Sequence, residues 1–461
     1  MRFSELDGRT VAVWGVGRET RSLARQLSAR LPGARLVAVI GDDPERDRDA
    51  AAADEHLAPA PFVAGEEALR WSQGRGLEVL VRSPGVSIHK PQLEALRRGG
   101  VAVTTATGLW LHERDGASVI GITGTKGKGT TAVLASHVSA TQRPTHLAGN
   151  IGHPVLDLLD VPAEEWVVLE LSSFQISDLA HGPEVAVLTN LFREHVDWHG
   201  SEAEYRREKL RLLGLPGIHA CAFRPGDEQV EAAIAPGARR VPFGAAGGWH
   251  VTDDGVADGA GTVIPPGALP LRGRHNAENL CAALAALDAA GFGRADLPQA
   301  LAGVRGLPHR LQTILERDGV EWVDDSIATN PASSIVALEA FDDRDVVLLA
   351  GGYERGQDLS ELARELAASE RVRVVCLPVT GERLAAEAIA AGAGSERIFN
   401  ARDMEQAVGI ARELAEPGTV VLLSPAAASY NAYRDFEQRG EHFAALVGAR
   451  RAGEPAGDGG T

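Results

Sequence analysis

One pattern recurs along the chain: a run of aliphatic and β-branched residues, a turn built on glycine, then a stretch with helical spacing. TVAVW (Thr10 to Trp14) reads as a buried strand, GVGRE as its turn, RSLARQLSARL as a helix and ARLVAVI as the next strand. LEVLVRSPG and VAVTTATG continue the series. A second series starts at Ala117 with ASVIGITG, followed by WVVLELSS, VAVLTN and IHACAF. After a Gly- and Pro-rich stretch from Pro242 to Pro270, HNAENLCAALAALDAAG places Leu280, Ala283, Leu284 and Leu287 on one helical face. A third series, from Leu307, contains VEWVDD, DVVLLAGG, RVRVVCLP and TVVLLSP. Strands alternating with helices force an α/β architecture. With 461 residues, more than one core is required. The expectation is three successive α/β domains, residues 1–107, 108–306 and 307–449, with 450–461 a disordered tail.

Bulk properties narrow the partners. A net charge of −17 argues against nucleic acid or an anionic membrane as the main partner. No run approaches the roughly 20 apolar residues of a membrane span. MRFSELDGRT lacks the apolar core of a signal peptide, so a cytoplasmic location is expected. Cys221, Cys281 and Cys376 lie far apart without CxxC spacing, and buried apolar roles in a reducing compartment are expected for them.

The strongest chemical signal is GITGTKGKGTT, Gly121 to Thr131. It joins a strand to a helix, so backbone N–H groups and the helix start can hold phosphate oxygens. Lys128 adds charge, and Lys126 a second cation. It is not a strict Walker loop: Ile122 stands at the first glycine position and Gly129 follows the lysine. Gly129 removes the usual Mg²⁺-binding hydroxyl, and Thr130 is the nearest substitute. The earlier turn, with Gly15 and Gly17, has Thr20 where a dinucleotide fingerprint needs its third glycine. A tight turn and an anion site both fit it.

Glu170 and His195 follow strands, and parallel strands bring their carboxyl ends to one crevice. A carboxylate suits Mg²⁺, whereas a histidine alone reads as structural. His195 and His199 have an HxxxH spacing, but Asp197, Trp198 and Gly200 make a poor helix and the glutamate of a zinc hydrolase is missing. Lys209, in EYRREKLRL, reads on composition as part of a solvated helix face. GRHNAENL, LPHRLQ and VDDSIATN read as turns or caps, with Asn330 capping a helix that starts at Pro331.

Taken together, GTKGKGT, GNIG, LELSSFQ, NLFREHVDWHG, YRREKL, HNAENLCAA, LPHRL, DDSIATN, LLAGGYERG and LLSPAAASYNAYRDFEQRGEHF resemble, in order and over nearly the whole chain, the Mur ligases that build the peptidoglycan stem peptide. The resemblance is closest to those that add glutamate to UDP-N-acetylmuramoyl-L-alanine. It implies a Rossmann-like UDP-sugar-binding domain, a central P-loop ATPase and a Rossmann-like C-terminal domain. It implies ATP and two Mg²⁺ ions as cofactors, and a monomer. By the same resemblance, Gly124, Thr125, Lys126, Gly127, Lys128, Gly129, Thr130, Asn279, Arg310 and Asp325 bind ATP. Gly15, Gly17, Arg18, Ser83, Pro84 and Gly85 hold the UDP-sugar. Thr130, Glu170, His195 and a carbamate on Lys209 serve the metals, and Lys128, His195, Lys209 and Asn150 act at the reacting centre. A folylpolyglutamate synthetase shares the ATPase but lacks the UDP-binding first domain.

The implied chemistry is acyl activation: the alanine carboxylate attacks the γ-phosphate of ATP, and the glutamate amine displaces phosphate from the acyl phosphate. It needs positive groups at the phosphoryl charge, and closure of the C-terminal domain to exclude water. Thr329, Arg355, Ser429 and Phe436 match the glutamate-binding positions. D-glutamate enzymes carry lysines where this chain has Ile327 and Arg355, and Asn431 and Tyr433 replace their Asp and Phe. The redrawn anchors point to L-glutamate, with D-glutamate the alternative, and a separate epimerase acting on the product.

Overall fold

The computed structural model describes residues 1–192, 201–261, 263–294, 296–304 and 306–448. His195, Asp197, Trp198, His199, Gly200 and the 450–461 tail lie outside them. The fold is α/β. By compactness it divides into two units, Met1–Pro270 with His275–Val304, and Leu271–Arg274 with Arg305–Thr461.

The first unit carries two parallel sheets. One comprises β1 (Thr10–Trp14), β2 (Arg35–Gly41), β3 (Phe62–Ala64), β4 (Val79–Arg82) and β5 (Ala102–Thr104), in the order β3-β2-β1-β4-β5. Strand order reverses beside β1, so the turns after β1 and β4 flank one crevice. The other comprises β6 (Val119–Thr123), β7 (Thr145–Gly149), β8 (Trp166–Glu170), β9 (Val185–Leu188), β10 (Ala220–Phe223) and β11 (Arg239–Pro242), in the order β11-β10-β9-β6-β8-β7. β1, β6, β8 and β9 are buried throughout, which is why they read as continuous apolar runs.

Two features were not visible in the sequence. The Gly/Pro-rich stretch folds into an antiparallel sheet of β12 (His250–Thr252), β13 (Gly255–Ala257) and β14 (Val263–Ile264). Strands of two or three residues are too short for a periodic signal. The helix Arg274–Ala289 is buried on more than its expected face: Cys281, Ala282, Ala285 and Ala286 are enclosed along with Leu280, Ala283, Leu284 and Leu287. Alanine lets neighbours approach from every side without an apolar stripe showing.

The second unit has β15 (Gln312–Arg317), β16 (Val320–Asp324), β17 (Val346–Gly352), β18 (Val372–Val379), β19 (Ile398–Asn400) and β20 (Val420–Leu423), in the order β15-β16-β20-β17-β18-β19. β15 is an antiparallel edge strand. Its mixed, half-exposed sequence gave no strand signal. The three cysteines are free and buried, and burial pushes each thiol up to about 12. No helix among the described residues is long and apolar enough to cross a membrane.

Candidate active site

The phosphate loop runs from β6 into the helix Lys128–Ala140. Gly127 caps that helix at φ 79°, a left-handed conformation that glycine adopts without strain. A Cβ there would also collide with the Asn279 amide, so Asn279 sits against the loop. The loop is held from the neighbouring strand end. Thr189 Oγ1 donates to Lys126 O at 2.7 Å, Asn190 Nδ2 donates to the same carbonyl at 3.1 Å, and Lys126 N–H donates to Asn190 Oδ1 at 2.8 Å. Lys128 Nζ donates to Thr125 O at 3.0 Å. Gly129, Thr130 and Thr131 are buried in the first turn of the helix.

Lys209 is not on a solvated face. It is 2% exposed, and Nζ donates to Gly124 O at 2.7 Å. Composition could not show this, because the burial comes from contact with a loop 85 residues away. Tyr205, one helical turn earlier, was missed as a site residue. Its hydroxyl is 2.8 Å from Thr125 Oγ1, and its ring centroid is 5.0 Å from Lys209 Nζ. The YRREKL match contained it, but only the i, i+4 spacing to Lys209 marks it out.

Glu170 ends β8 in register with Ile122 of β6, and is 3% exposed. The adjacent Leu171 carbonyl accepts from Thr123 Oγ1 at 2.8 Å. Glu170 thus lies at the root of the phosphate loop. Asn150 N–H donates to Glu170 O at 3.1 Å, which brings the GNIG turn to the same strand end. Arg18 reaches that turn from the first sheet, donating to Gly149 O at 2.9 Å and Gly152 O at 3.3 Å. Gly15, at φ 92°, packs so closely on Ser83 that a Cβ would lie 2.7 Å from the serine Cβ. The structure therefore brings Gly15, Gly17 and Ser83 together. The role expected of His195 falls outside the described residues.

In the second unit, Asp325, Arg355 and Ser429 follow β16, β17 and β20 at the carboxyl edge of one sheet. Asp325 is buried and accepts from Ser424 Oγ at 2.8 Å and from Leu311 N–H at 3.2 Å, which brings the residue after Arg310 back to it across the β15–β16 hairpin. Burial pushes its carboxyl up to about 7. His309 Nδ1 lies 2.7 Å from Asp324 Oδ2, and that partner raises the imidazole above its ordinary value. Arg355 stacks over Tyr430 at 5.1 Å, while the neighbouring Glu354 is engaged by Arg383 at 3.1 Å. Ser429 is buried, and Phe436 begins the last helix with its ring 6.1 Å from His309. Thr329 precedes Asn330, whose side chain caps the helix Pro331–Glu339 as expected, accepting from Ser333 N–H at 3.0 Å. Asn279 belongs to the first compact unit, Arg310 and Asp325 to the second.

Residues 122–287 match the Mur ligase middle domain, and residues 309–427 the glutamate ligase domain of Mur ligases. A UDP-N-acetylmuramoyl-L-alanine–L-glutamate ligase of Xanthomonas euvesicatoria pv. vesicatoria is 40% identical over 474 residues, covering 100% of this chain and 99% of the relative. A Micromonospora protein of the same name is 43% identical over 478 residues, covering 99% of this chain and 100% of its own. Among solved structures, MurF from Acinetobacter baumannii superposes with a TM-score of 0.60 at 18% identity, covering 89% of this chain and 90% of that one. The UDP-N-acetylmuramate–alanine ligase of Thermotoga maritima gives 0.55 at 18% identity, covering 95% and 99%. Likeness at that identity speaks to the fold alone.

Proposed function

The chain belongs to the Mur ligase family, and on that premise we propose that it joins L-glutamate to UDP-N-acetylmuramoyl-L-alanine at the expense of ATP, in peptidoglycan precursor synthesis. The observation that carries the reading is the convergence of Lys128, Lys209 and Glu170 on one phosphate loop, beside the turn that holds Asn150. Backbone N–H groups at the start of the helix Lys128–Ala140 and the Lys128 ammonium receive the phosphates of ATP. Their fixed positive charge meets the charge that spreads over the γ-phosphoryl group as the alanine carboxylate attacks. Glutamate's amine then attacks the acyl carbon, and phosphate leaves with the bonding pair.

The oxygen donors of Glu170 and Thr130, both buried at the loop, fit a hard cation. Mg²⁺ held there would neutralise phosphate charge. Lys209 as a free ammonium would oppose a metal. As a carbamate it would become an anionic oxygen donor, with its remaining N–H still able to donate to the Gly124 carbonyl. Arg18, bonded to the Gly149 and Gly152 carbonyls of the GNIG turn, supports a sugar-nucleotide site that adjoins the turn holding Asn150. An L-glutamate product calls for a separate epimerase downstream.

The L-enantiomer reading draws on the names carried by the full-length relatives and on Ile327 and Arg355 standing where D-glutamate enzymes have lysines. Arg offers a planar fork where Lys offers a point charge, so a carboxylate is held at a different angle. The test is purified protein with ATP, Mg²⁺, UDP-N-acetylmuramoyl-L-alanine and each enantiomer in turn. Phosphate release and a dipeptide product with L-glutamate are expected; turnover with D-glutamate alone would overturn the assignment.

A further inference from the structure

Arg82 ends β4 and is fully buried, which is costly for a guanidinium unless its donors are used. They are used, and in two directions. Nη1 donates to the carbonyls of Ser83, Pro84 and Val86, at 3.3, 3.2 and 2.9 Å. Nη2 donates to Phe174 O at 2.8 Å and Ser177 Oγ at 3.0 Å, and Nε to Asp178. Asp178 is also paired with Arg97 at 3.1 Å. One side chain thus ties the Ser83-Pro84-Gly85 loop to the segment that follows Glu170 and Leu171 in the second sheet's chain.

The loop side of this arrangement has an electrostatic consequence. Gathering three carbonyls on one guanidinium turns the loop's negative dipole ends inward. Its opposite side is open: a Cβ at Gly85 would meet nothing within 4 Å. Ser83 faces Gly15 and Gly17 across the crevice at the strand-order reversal. Ser83 N–H and Val86 N–H are taken by Trp14 O and Ser83 O, and Pro84 has none, so the donors the loop has for an anion such as a nucleoside diphosphate are the Gly85 N–H and the Ser83 hydroxyl.

We propose that Arg82, anchored by Asp178, is the positioning residue of the sugar-nucleotide site: it sets the Ser83–Gly85 loop as a diphosphate receptor and fixes that receptor to the phosphate-loop sheet. The inference rests on the ligase reading for the identity of the substrate. Arg82 does not touch the substrate; it acts through the loop backbone. Loss of the fork therefore weakens the UDP-sugar complex and leaves the ATP loop intact.

The test compares wild type with Arg82→Lys, which keeps charge but not the planar fork, and Asp178→Asn, which keeps shape but not charge. UDP alone is titrated by calorimetry, and steady-state constants are measured for UDP-N-acetylmuramoyl-L-alanine and ATP. In both variants UDP affinity should fall about tenfold and the UDP-sugar KM rise about as much, with ATP KM within about twofold and kcat little changed. Were Arg82→Lys not to fold, Asp178→Asn carries the test. A folded variant with unchanged UDP affinity, an equal loss for UDP and ATP, or a wild type that binds no UDP would each overturn the proposal. A wild type that binds UDP yet forms no dipeptide would sink the ligase reading instead, and UDP binding by the variants would still decide the role of Arg82.

Discussion

Lys209, as the unmodified side chain, and Arg355 are both basic residues beside the carboxyl edge of a sheet, yet the protein holds them in opposite ways. Lys209 is enclosed, with its ammonium on a backbone carbonyl and a tyrosine ring beneath it. Arg355 is exposed and steadied by Tyr430, itself 59% exposed, while its neighbouring carboxylate Glu354 is taken by Arg383. The first arrangement is rigid and assembled by many partners. The second leaves a cation oriented but uncommitted. A phosphate loop gains from preorganisation, because its charges must already be aimed when the phosphoryl group moves. If Arg355 serves the proposed glutamate site, a small, flexible dicarboxylate can be met by anchors that stay adjustable.

The comparison breaks most visibly at the rigid end. Lys128→Ala should lower kcat/KM by about 10³-fold or more, because one preorganised charge on the transferring group is removed. Single-turnover phosphate release is the measurement, and a loss under tenfold would deny Lys128 its role. The adjustable end should respond more mildly and more selectively. Arg355→Lys should raise the KM for glutamate about tenfold, the cost of a charge-assisted bidentate contact reduced to a point charge. ATP KM should hold. Equal shifts in both constants would mean that Arg355 supports the fold rather than the amino acid.

The same contrast explains what the sequence could and could not reveal. β1, β6, β8, β9, β16, β17 and β20 are buried on both faces and read as unbroken apolar runs; their residues needed no context. The phosphate loop was legible because its chemistry is local: glycines and a lysine within a few positions, between a strand and a helix. Lys209 was misjudged on composition, since its environment is made by Gly124 and Tyr205 rather than by its own helix. The resemblance at YRREKL pointed to Lys209 where composition did not, and its proposed role rests on that resemblance. Arg82 offered no local signal at all. Its partners at Phe174, Ser177 and Asp178 lie more than 90 residues away, and an arginine at the end of a strand is unremarkable until its burial is seen.

Asp325 offers a finer test, through pH. Its folded carboxyl titrates at about 7, well above the ordinary 3.8, because it is buried. The folded protein therefore holds the proton more tightly than the unfolded chain. The stability contributed is full below the unfolded value and is lost as pH rises through about 7. His309, raised by Asp324, works in the same direction and remains in the variant. Asp325→Asn removes only the aspartate's share. Without ligands, the fall in Tm between about pH 5 and pH 8 should be shallower in the variant than in wild type by a few degrees. Parallel profiles would mean that Asp325 stays ionised in the fold.

The smallest effect is expected at Gly129, where the loop departs from the usual pattern. A serine there restores the side chain that other phosphate loops use, and it replaces glycine inside a helix, a gain of about 0.5 kcal/mol on propensity alone. Thr130, one position on and buried in the same turn, already supplies a hydroxyl. If Thr130 serves the cation, Gly129→Ser should change the KM for ATP and the Mg²⁺ concentration at half-maximal rate by less than about threefold. The partner substitution sharpens the result: Thr130→Val should raise the Mg²⁺ requirement, and Gly129→Ser added to it should restore much of the loss. A Gly129→Ser enzyme that alone needs far less Mg²⁺ than wild type would show instead that the native loop lacks a hydroxyl at the metal, and that Thr130 does not fill the place.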